Sequence, residues 1–209
     1  MTAVDSTPTR SSPRYGEGRR ALLAAAVHVV AGQGLRKLTY RAVAREAKVT
    51  HGLVAHHFGT RDALIEAALE FSVENSVASI STRPGTGDID AIFAGLIQMV
   101  EDNPDDQAFQ YELILESRRR PELRPHVESL YRTYRRALRE ELAHGGIDCD
   151  EVMAHAFIAA ADGLIFQQIT LGHSDFNEAA LAHLRRFLQS LVNKCDGDVL
   201  LATQRVSAR

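Results

Sequence analysis

Apolar side chains recur every three or four residues along most of the chain, which is the spacing of amphipathic helices. The first apolar stripe comprises Leu22, Leu23, Ala26, Val27 and Val30. The glycine-rich stretch of residues 32–34 follows it with residue types that favour a helix end. No run of alternating apolar and polar residues bounded by turns indicates a strand. The pattern therefore predicts an all-α fold of about nine helices.

Two short helices follow the first one, separated by a link of three residues. Thr39 is expected to cap the helix that ends at Ala47, and Thr50 the helix that ends near Phe58. Helix, short link and helix in this order are typical of a helix-turn-helix unit. Thr50, His51 and Gly52 suit the start of a recognition helix, because small residues there allow entry into a major groove. Helical hairpins of other functions show the same general pattern, so the spacing alone is not specific.

The remaining residues divide into a helical body and its connections. Residues 1–15 are rich in Ser, Thr and Pro and predict a flexible tail. Residues 16–60 form the predicted helix-turn-helix domain, 61–80 a connecting helix, and 81–209 the predicted helical body. A Pro/Gly-rich break at 81–90 predicts a loop at the start of this body. Helices are then expected at 91–101, at 105–120, from Pro121 or Pro125 to His144, and at about 150–172 and 175–194.

The charge is distributed unevenly between these parts. The whole chain has a net charge of −3, which argues against a basic nucleic-acid-binding protein. Residues 1–61 nevertheless contain 10 basic and 3 acidic residues, a net charge of +7, and the remainder contains 14 basic and 24 acidic residues, a net charge of −10. This asymmetry predicts that the N-terminal part faces nucleic acid and that the acidic body does not.

The sequence TYRAVAREAKVTHGLVAHHFGTRDAL, residues 39–64, resembles the DNA-binding signature of the TetR family of transcriptional regulators. The resemblance implies a three-helix head whose third helix reads DNA and a fourth helix that leads to the body. It implies that residues 81–209 are a ligand-binding and dimerisation domain, with a homodimer formed by the last two helices. It implies a cytoplasmic regulator, most simply a repressor that binds a palindromic double-stranded operator and is released by a small-molecule effector.

The resemblance assigns DNA contacts residue by residue. The assigned positions are Thr39, Arg41, Lys48, Thr50, His51, Gly52, His56, His57 and Arg61. Two residues depart from the family pattern, because Lys48 stands where a glycine of the turn is usual and Ala55 where an aromatic residue is usual. These departures leave an alternative function open, that of a helical small-molecule-binding protein with a degenerate DNA-binding head.

Polar and aromatic residues on otherwise apolar helix faces are the candidates for contact with an effector. The predicted ligand-binding residues are Phe93, Gln110, Tyr111, Tyr131, Tyr134 and His155. Small residues along the penultimate helix, together with apolar residues of the last one, predict a four-helix dimer interface. Its expected members are Ala156, Ala159, Gly163, Gln167, Leu184 and Leu188. The alternative is that one chain buries both sides of the penultimate helix by itself.

Other classes of function find little support in the residues. His51, His56 and His57 lack the spacing of a metal site, and we expect no metal and no cofactor. No nucleophile motif, phosphate loop or carboxylate pair indicates an enzyme. Two cysteines are too few for a disulfide framework, and no stretch approaches the roughly 18 consecutive apolar residues that would span a bilayer.

Overall fold

The computed structural model describes residues 15–172 and 177–190 of the chain, and within these ranges every regular element is helical. The predicted all-α class is therefore confirmed. The helices are α1 (Tyr15–Gln33), α2 (Tyr40–Glu46), α3 (His51–Phe58), α4 (Arg61–Ala78), α5 (Ile89–Asp102), α6 (Pro104–Glu116), α7 (Arg124–His144), α8 (Glu151–Leu171) and α9 (residues 177–190). Most of the predicted tail, and both ends of the predicted last helix, lie outside the described residues.

Local signals explain most helix boundaries. The Thr39 hydroxyl accepts a hydrogen bond from the Ala42 N–H, and Asp150 caps α8 through the Met153 N–H. Asp88 caps α5, so this helix begins at Ile89 rather than at the predicted residue 91. The predicted helix 105–120 is four residues too long, because proline disfavours helical backbone in the residue before it. Arg120, which precedes a proline, is extended, and α6 ends at Glu116.

The hydrophobic core consists of two clusters. The first contains buried residues of α1 to α4 and continues into the body through Phe109 and Leu113 of α6 and Leu130 of α7. The second lies within the body, between α5, α7, α8 and α9. The predicted boundary at residue 60 remains a prediction. The apolar packing nevertheless continues across it, so that the head and α6 share one core.

The loop between α4 and α5 is held by the body. The carboxylate of Glu141, a buried residue of α7, accepts hydrogen bonds from the backbone N–H groups of Gly85 at 2.8 Å and Gly87 at 3.1 Å. These bonds satisfy a charged group that would be costly to bury alone. The Pro/Gly-rich segment that the sequence predicts as a loop is thus a fixed connection.

Helix α8 is the most apolar of the described helices by hydropathy. Its length and composition would suffice to cross a membrane, since an 18-residue stretch of it has a mean hydropathy of 1.3. Only 22% of that stretch is buried within the chain. The apolar run is broken by Asp162, the single charged residue between Val152 and Leu171. An apolar helix so exposed calls for a partner surface.

Candidate nucleic-acid interface and ligand cavity

Helices α2 and α3 form the helix-turn-helix unit that the sequence predicts. Residues 47–50 connect them, and the Val49 N–H donates to the Ala44 carbonyl at 2.8 Å. Val54 and Phe58 anchor α3 in the core. The opposite side of α3 is exposed and presents His51, Gly52 and His56 to solvent. This arrangement leaves the N-terminal turn of α3 accessible to a groove of DNA.

The turn places Lys48 in the left-handed backbone region. Its φ is 56°, the one positive φ of a non-glycine residue among the described residues. This is the conformation in which a helix-ending residue is usually glycine, since a side chain there is strained. The glycine that is usual at this position in the family pattern therefore has a conformational reason. Lys48 adopts the same backbone conformation at a cost in conformational free energy.

The remaining predicted DNA contacts differ in their exposure. The exposed positions are Thr39, Arg41, Lys48, Thr50, His51, Gly52 and His56, whereas His57 and Arg61 are half-buried. The His57 ring packs beside those of His56 and Phe58. Among the described residues no group of three or more His, Cys, Asp or Glu is placed to hold a metal ion.

Arg61 also has a structural role that the sequence did not reveal. Its Nη2 donates to the Leu35 carbonyl at 2.7 Å and its Nε to the Leu38 carbonyl at 2.9 Å. These carbonyls lie in the connection between α1 and α2, so the guanidinium fastens α4 to the head. A phosphate contact by Arg61 remains a prediction, and it would have to coexist with these two bonds.

Val49 and Leu53 are two apolar residues of the head that the sequence does not predict as DNA contacts, since Val49 is expected to pack between the two helices. Each is 38% exposed, beside the predicted DNA-contacting residues. Apolar side chains at the start of a recognition helix pack against thymine methyl groups. The packing of α3 leaves these two side chains exposed, although the sequence pattern places them in an apolar stripe.

Four of the six predicted ligand-binding residues meet in the body. The Tyr134 hydroxyl donates to Gln110 Oε1 at 2.6 Å. Gln110 Nε2 lies 3.3 Å from the Ser72 hydroxyl and 3.2 Å from that of Ser76. Tyr111 and Tyr131 make a separate set of hydrogen bonds to Asp162 in the same region. Beside these side chains, between α4, α5, α6, α7 and α8, is a cavity of about 40 Å³.

Asp162 is the residue of this region that sequence reasoning missed. Its Oδ1 accepts from the Tyr111 hydroxyl at 2.9 Å, and its Oδ2 from the Tyr131 hydroxyl at 3.0 Å. Burial and the neighbouring Asp162 charge raise the pKa of both tyrosines, so both hydroxyls stay protonated donors. Burial likewise raises the pKa of Tyr134 to about 12. The sequence signal that could have identified Asp162 is its isolated charge within the apolar sequence of α8.

The other two predicted ligand-binding residues lie elsewhere. His155 is exposed in a groove between α7 and α8, which Tyr131 and Asp162 also line. Phe93 is buried and packs edge-on against Phe157, with ring centroids 5.5 Å apart. Phe157 lines the cavity, whereas Phe93 supports it from behind.

The predicted dimer residues form an exposed strip along α8. Ala156, Ala159, Gly163 and Gln167 are exposed, and Leu184 of α9 is half-buried. Leu188 is only 2% exposed, because it belongs to the chain's own second core cluster. Large apolar side chains are exposed on the same two helices, including Val152 at 76% and Phe187 at 60%. Phe187 therefore offers the exposed apolar surface that Leu188 does not.

Comparison with known proteins identifies the family. The family model described as bacterial regulatory proteins, tetR family, matches residues 22–68. The model described as tetracyclin repressor-like, C-terminal domain, matches residues 87–193, more than half of the chain. The chain belongs to the TetR family. Membership of a family of regulatory proteins confirms the prediction of a regulator rather than an enzyme.

Individual relatives resemble the chain in part or over most of its length. An HTH-type transcriptional repressor of Mycobacterium tuberculosis is 39% identical over 71 residues, which cover 34% of this chain and 38% of the repressor. The match thus spans well under half the length of that curated relative. A TetR-family regulator from Rhodococcus sp. superposes with a TM-score of 0.69 at 25% identity, covering 84% of this chain and 98% of the other.

A second solved structure is a multidrug binding protein, EbrR. Its complex with ethidium superposes with a TM-score of 0.59 at 29% identity, covering 83% of this chain and 99% of the other. Further EbrR structures hold imidazole, proflavin and malachite green. The similarity covers the body as well as the head, so the TetR-family fold extends to the part that contains the cavity.

Proposed function

We propose that this TetR-family protein is a transcriptional repressor that binds a palindromic operator as a homodimer and is released by a small molecule. The observation that carries the proposal is the exposed N-terminal turn of α3, with His51, Gly52 and Lys48 accessible in a head that is rich in basic residues. Basic side chains around such a turn supply phosphate contacts, and the exposed helix face reads base edges.

Dimerisation is supported by the apolar surface of α8 and α9. Small residues at Ala156, Ala159 and Gly163 let a second helix approach closely, and the exposed Val152 and Phe187 need cover. A two-fold pairing of these helices buries the same patch of both chains and makes a four-helix interface. Two heads joined in this way suit two half-sites separated by about one turn of DNA, roughly 34 Å.

Effector binding is supported by the cavity and its polar network. An apolar cavity with a few convergent polar groups is the usual form of a small-molecule site. Its polar lining includes Ser76, Gln107, Tyr134 and Asp162. The EbrR complexes support the assignment, because that protein has a similar fold and binds small aromatic molecules in the cited structures.

Release of DNA is assigned to α6, which touches both the cavity region and the head. Gln110 and Tyr111 of α6 each make hydrogen bonds to residues beside the cavity, Gln110 to Ser76 and Tyr111 to Asp162. On the same helix Asp105 accepts a hydrogen bond from the His28 ring at 2.6 Å, and Glu112 accepts one from the Leu35 N–H at 3.4 Å. A ligand that displaces the network shifts α6, and the head follows because it shares these contacts. The cavity and the DNA-binding head are coupled because the contacts of α6 differ between the ligand-bound and the ligand-free protein.

Fluorescence anisotropy with DNA from beside the protein's own gene tests operator binding. We expect salt-sensitive, sequence-specific binding to an inverted repeat, and binding to scrambled DNA that is at least about a thousandfold weaker. Ligand binding by a chain that binds every DNA alike would favour the alternative, a small-molecule-binding protein with a degenerate head. The same assay can be applied to His51→Ala, a substitution in the head. His144→Ala, at an exposed histidine of the body, is its control.

Sedimentation analysis of Gly163→Arg tests the dimer. A Cβ atom at Gly163 would meet nothing within 4 Å, so the variant is expected to fold yet to block a close partner helix. We expect a monomer. Gly32→Arg adds the same bulk at another open helical position and should remain dimeric. If Gly163→Arg and Gly32→Arg sediment as oligomers of the same size, the α8 interface is ruled out.

A further inference from the structure

Three consecutive arginines stand where the acidic body meets the head. Arg118, Arg119 and Arg120 follow the end of α6, in a part of the chain that contains more acidic than basic residues. The backbone N–H groups of Arg119 and Arg120 both donate to the Glu116 carbonyl at 2.9 Å, which fixes the turn that carries the run. The side chains of Arg118 and Arg119 are exposed. An exposed run of cations on an otherwise acidic domain is a local attraction for negative charge.

The arginine run lies beside the start of α4, because α6 runs antiparallel to that helix. Near the end of α4, the Ser76 hydroxyl accepts a hydrogen bond from Gln107 Nε2 at 2.8 Å. At the beginning of α4, Asp62 Oδ1 lies 3.5 Å from Arg120 Nη2. Asp62 directly follows Arg61, one of the predicted phosphate contacts. The run therefore stands at the end of the body that is nearer to DNA in the proposed complex.

The same end of α6 adjoins the chain that leads into α2. Glu112 accepts a hydrogen bond from the Leu35 N–H at 3.4 Å, and it lines a surface depression together with Arg118 and Arg119. The connection that begins at Leu35 leads to Thr39, the cap of α2 and another predicted DNA contact. Helix N-termini attract phosphate through their free N–H groups. Two helix starts that are expected to meet the DNA backbone thus flank the arginine run.

Three cations on this surface have no internal counter-ion. Arg36, Lys37 and Arg118 are exposed, and none of them forms an ion pair with another residue of the described ranges. The other two arginines of the run are paired, with Glu116 at 3.0 Å and with Glu122 at 2.8 Å. We call Arg36, Lys37 and Arg118 the cationic ridge. Its charged groups are available to phosphate oxygens, which guanidinium and ammonium groups bind by charge-assisted hydrogen bonds.

We propose that the cationic ridge contacts the DNA backbone beside the phosphates bound by the head, so that the body helps to hold the operator. The proposal rests on the proposed function, because it adds a contact to the same complex. Phosphate contacts carry no sequence information, so the ridge contributes affinity and salt dependence but not the choice of operator. Arg118 directly follows α6, the helix to which DNA release is assigned. A shift of α6 would therefore also withdraw this contact.

Fluorescence anisotropy of Arg118→Gln at several salt concentrations tests the proposal. The variant should bind operator and scrambled DNA roughly threefold more weakly than wild type, and the slope of log affinity against log salt concentration should fall by about one. A triple variant, Arg36→Gln with Lys37→Gln and Arg118→Gln, should lower the slope by about three. Arg136→Gln is the matched control, because this exposed arginine of α7 lies about 18 Å along the helix from Arg124. It should leave the slope unchanged.

Ethylation interference on the operator locates the contact. Ethylation removes the charge of one phosphate at a time, so a phosphate that interferes with binding of the wild-type chain but not of Arg118→Gln is one that Arg118 contacts. We expect such a phosphate in each half-site, next to those that the head contacts. Urea unfolding of Arg118→Gln should match wild type, because the exposed guanidinium has no ion-pair partner among the described residues.

Two outcomes would overturn the proposal and leave the proposed repressor standing. One is specific operator binding with the same salt slope in wild type, Arg118→Gln and the triple variant. The other is an equal fall of the slope in Arg136→Gln, which would show a general effect of net charge. If the wild-type chain binds scrambled DNA as tightly as the operator, the proposed function fails instead. The slopes of the variants on scrambled DNA then still decide whether the ridge contacts phosphate.

Discussion

Gly87 and Gly145 lie in direct backbone contact, which joins the loop before α5 to the end of α7. A Cβ atom at Gly87 would stand 1.9 Å from the Gly145 backbone nitrogen, and the φ of Gly87 is +65°. Both the space and the backbone angle therefore require glycine. The contact sits next to the two bonds that Glu141 receives from this loop.

Gly87→Ala is expected to destabilise the protein more than Gly85→Ala does. Both positions have positive φ, but a Cβ at Gly85 meets nothing within 4 Å. The left-handed conformation alone costs about 1–2 kcal/mol, and the backbone clash at Gly87 adds to it. Urea unfolding of both variants measures the difference. Equal losses of unfolding free energy would contradict a close contact between Gly87 and Gly145.

Lys48→Gly is expected to stabilise the head. The substitution relieves the left-handed strain but increases the entropy of the unfolded chain, which leaves a net gain of up to about 1 kcal/mol. Lys48→Ala keeps the strain and removes only the charge. Thermal unfolding compares the two variants. If Lys48 contacts a phosphate, both substitutions should weaken binding to all DNA sequences. They should also reduce the slope of log affinity against log salt concentration by about one. Equal stability of the two variants would refute the strain at this position.

Arg61→Ala is expected to lower stability as well as DNA affinity. Its guanidinium donates to two carbonyls of the head, and loss of hydrogen bonds from a charged donor costs about 1.5–3 kcal/mol in total. Arg61→Lys provides one cationic donor group and should restore charge but not both bonds. Unfolding and anisotropy measurements on the same samples separate these effects. A stable Arg61→Ala variant with weakened DNA binding would assign Arg61 to phosphate alone.

Asp106→Asn is expected to stabilise the protein at neutral pH. Burial raises the pKa of Asp106 to about 6, and its carboxylate accepts a hydrogen bond from Asn75 at 3.0 Å. A carboxyl whose folded-state pKa is raised contributes stability that is present below its unfolded value, near 3.8, and lost as pH rises through about 6. The variant should therefore gain up to about 2 kcal/mol over wild type between pH 4 and 7. A constant difference across this range would disprove the shift.

His51→Ala is expected to reduce discrimination among operator sequences more than overall affinity. His51 is exposed at the first position of α3, where base contacts concentrate. Loss of one base contact costs about 1–3 kcal/mol on the preferred sequence and little on other sequences. Anisotropy with operator variants that differ by one base pair measures the effect. A uniform loss on every sequence would assign His51 to phosphate.

The sequence by itself determined the helical class, the helix-turn-helix unit and the set of polar residues in the body. These features depend on spacing along one helix or on a short motif, and both can be read without knowledge of distant contacts. Thr39 caps α2 as expected. Gln110, Tyr111, Tyr131 and Tyr134 all make hydrogen bonds inside the body, Tyr134 to Gln110 and the other two tyrosines to Asp162.

Only the tertiary structure decided which residues from different helices meet. Asp162 accepts hydrogen bonds from two tyrosines that are 51 and 31 residues away in the chain. Arg61 donates to carbonyls 23 and 26 residues earlier in the chain, and Leu188 is covered by its own chain rather than free for a partner. Periodicity identifies an apolar face but not what covers it, because burial depends on the relative rotation and position of packed helices.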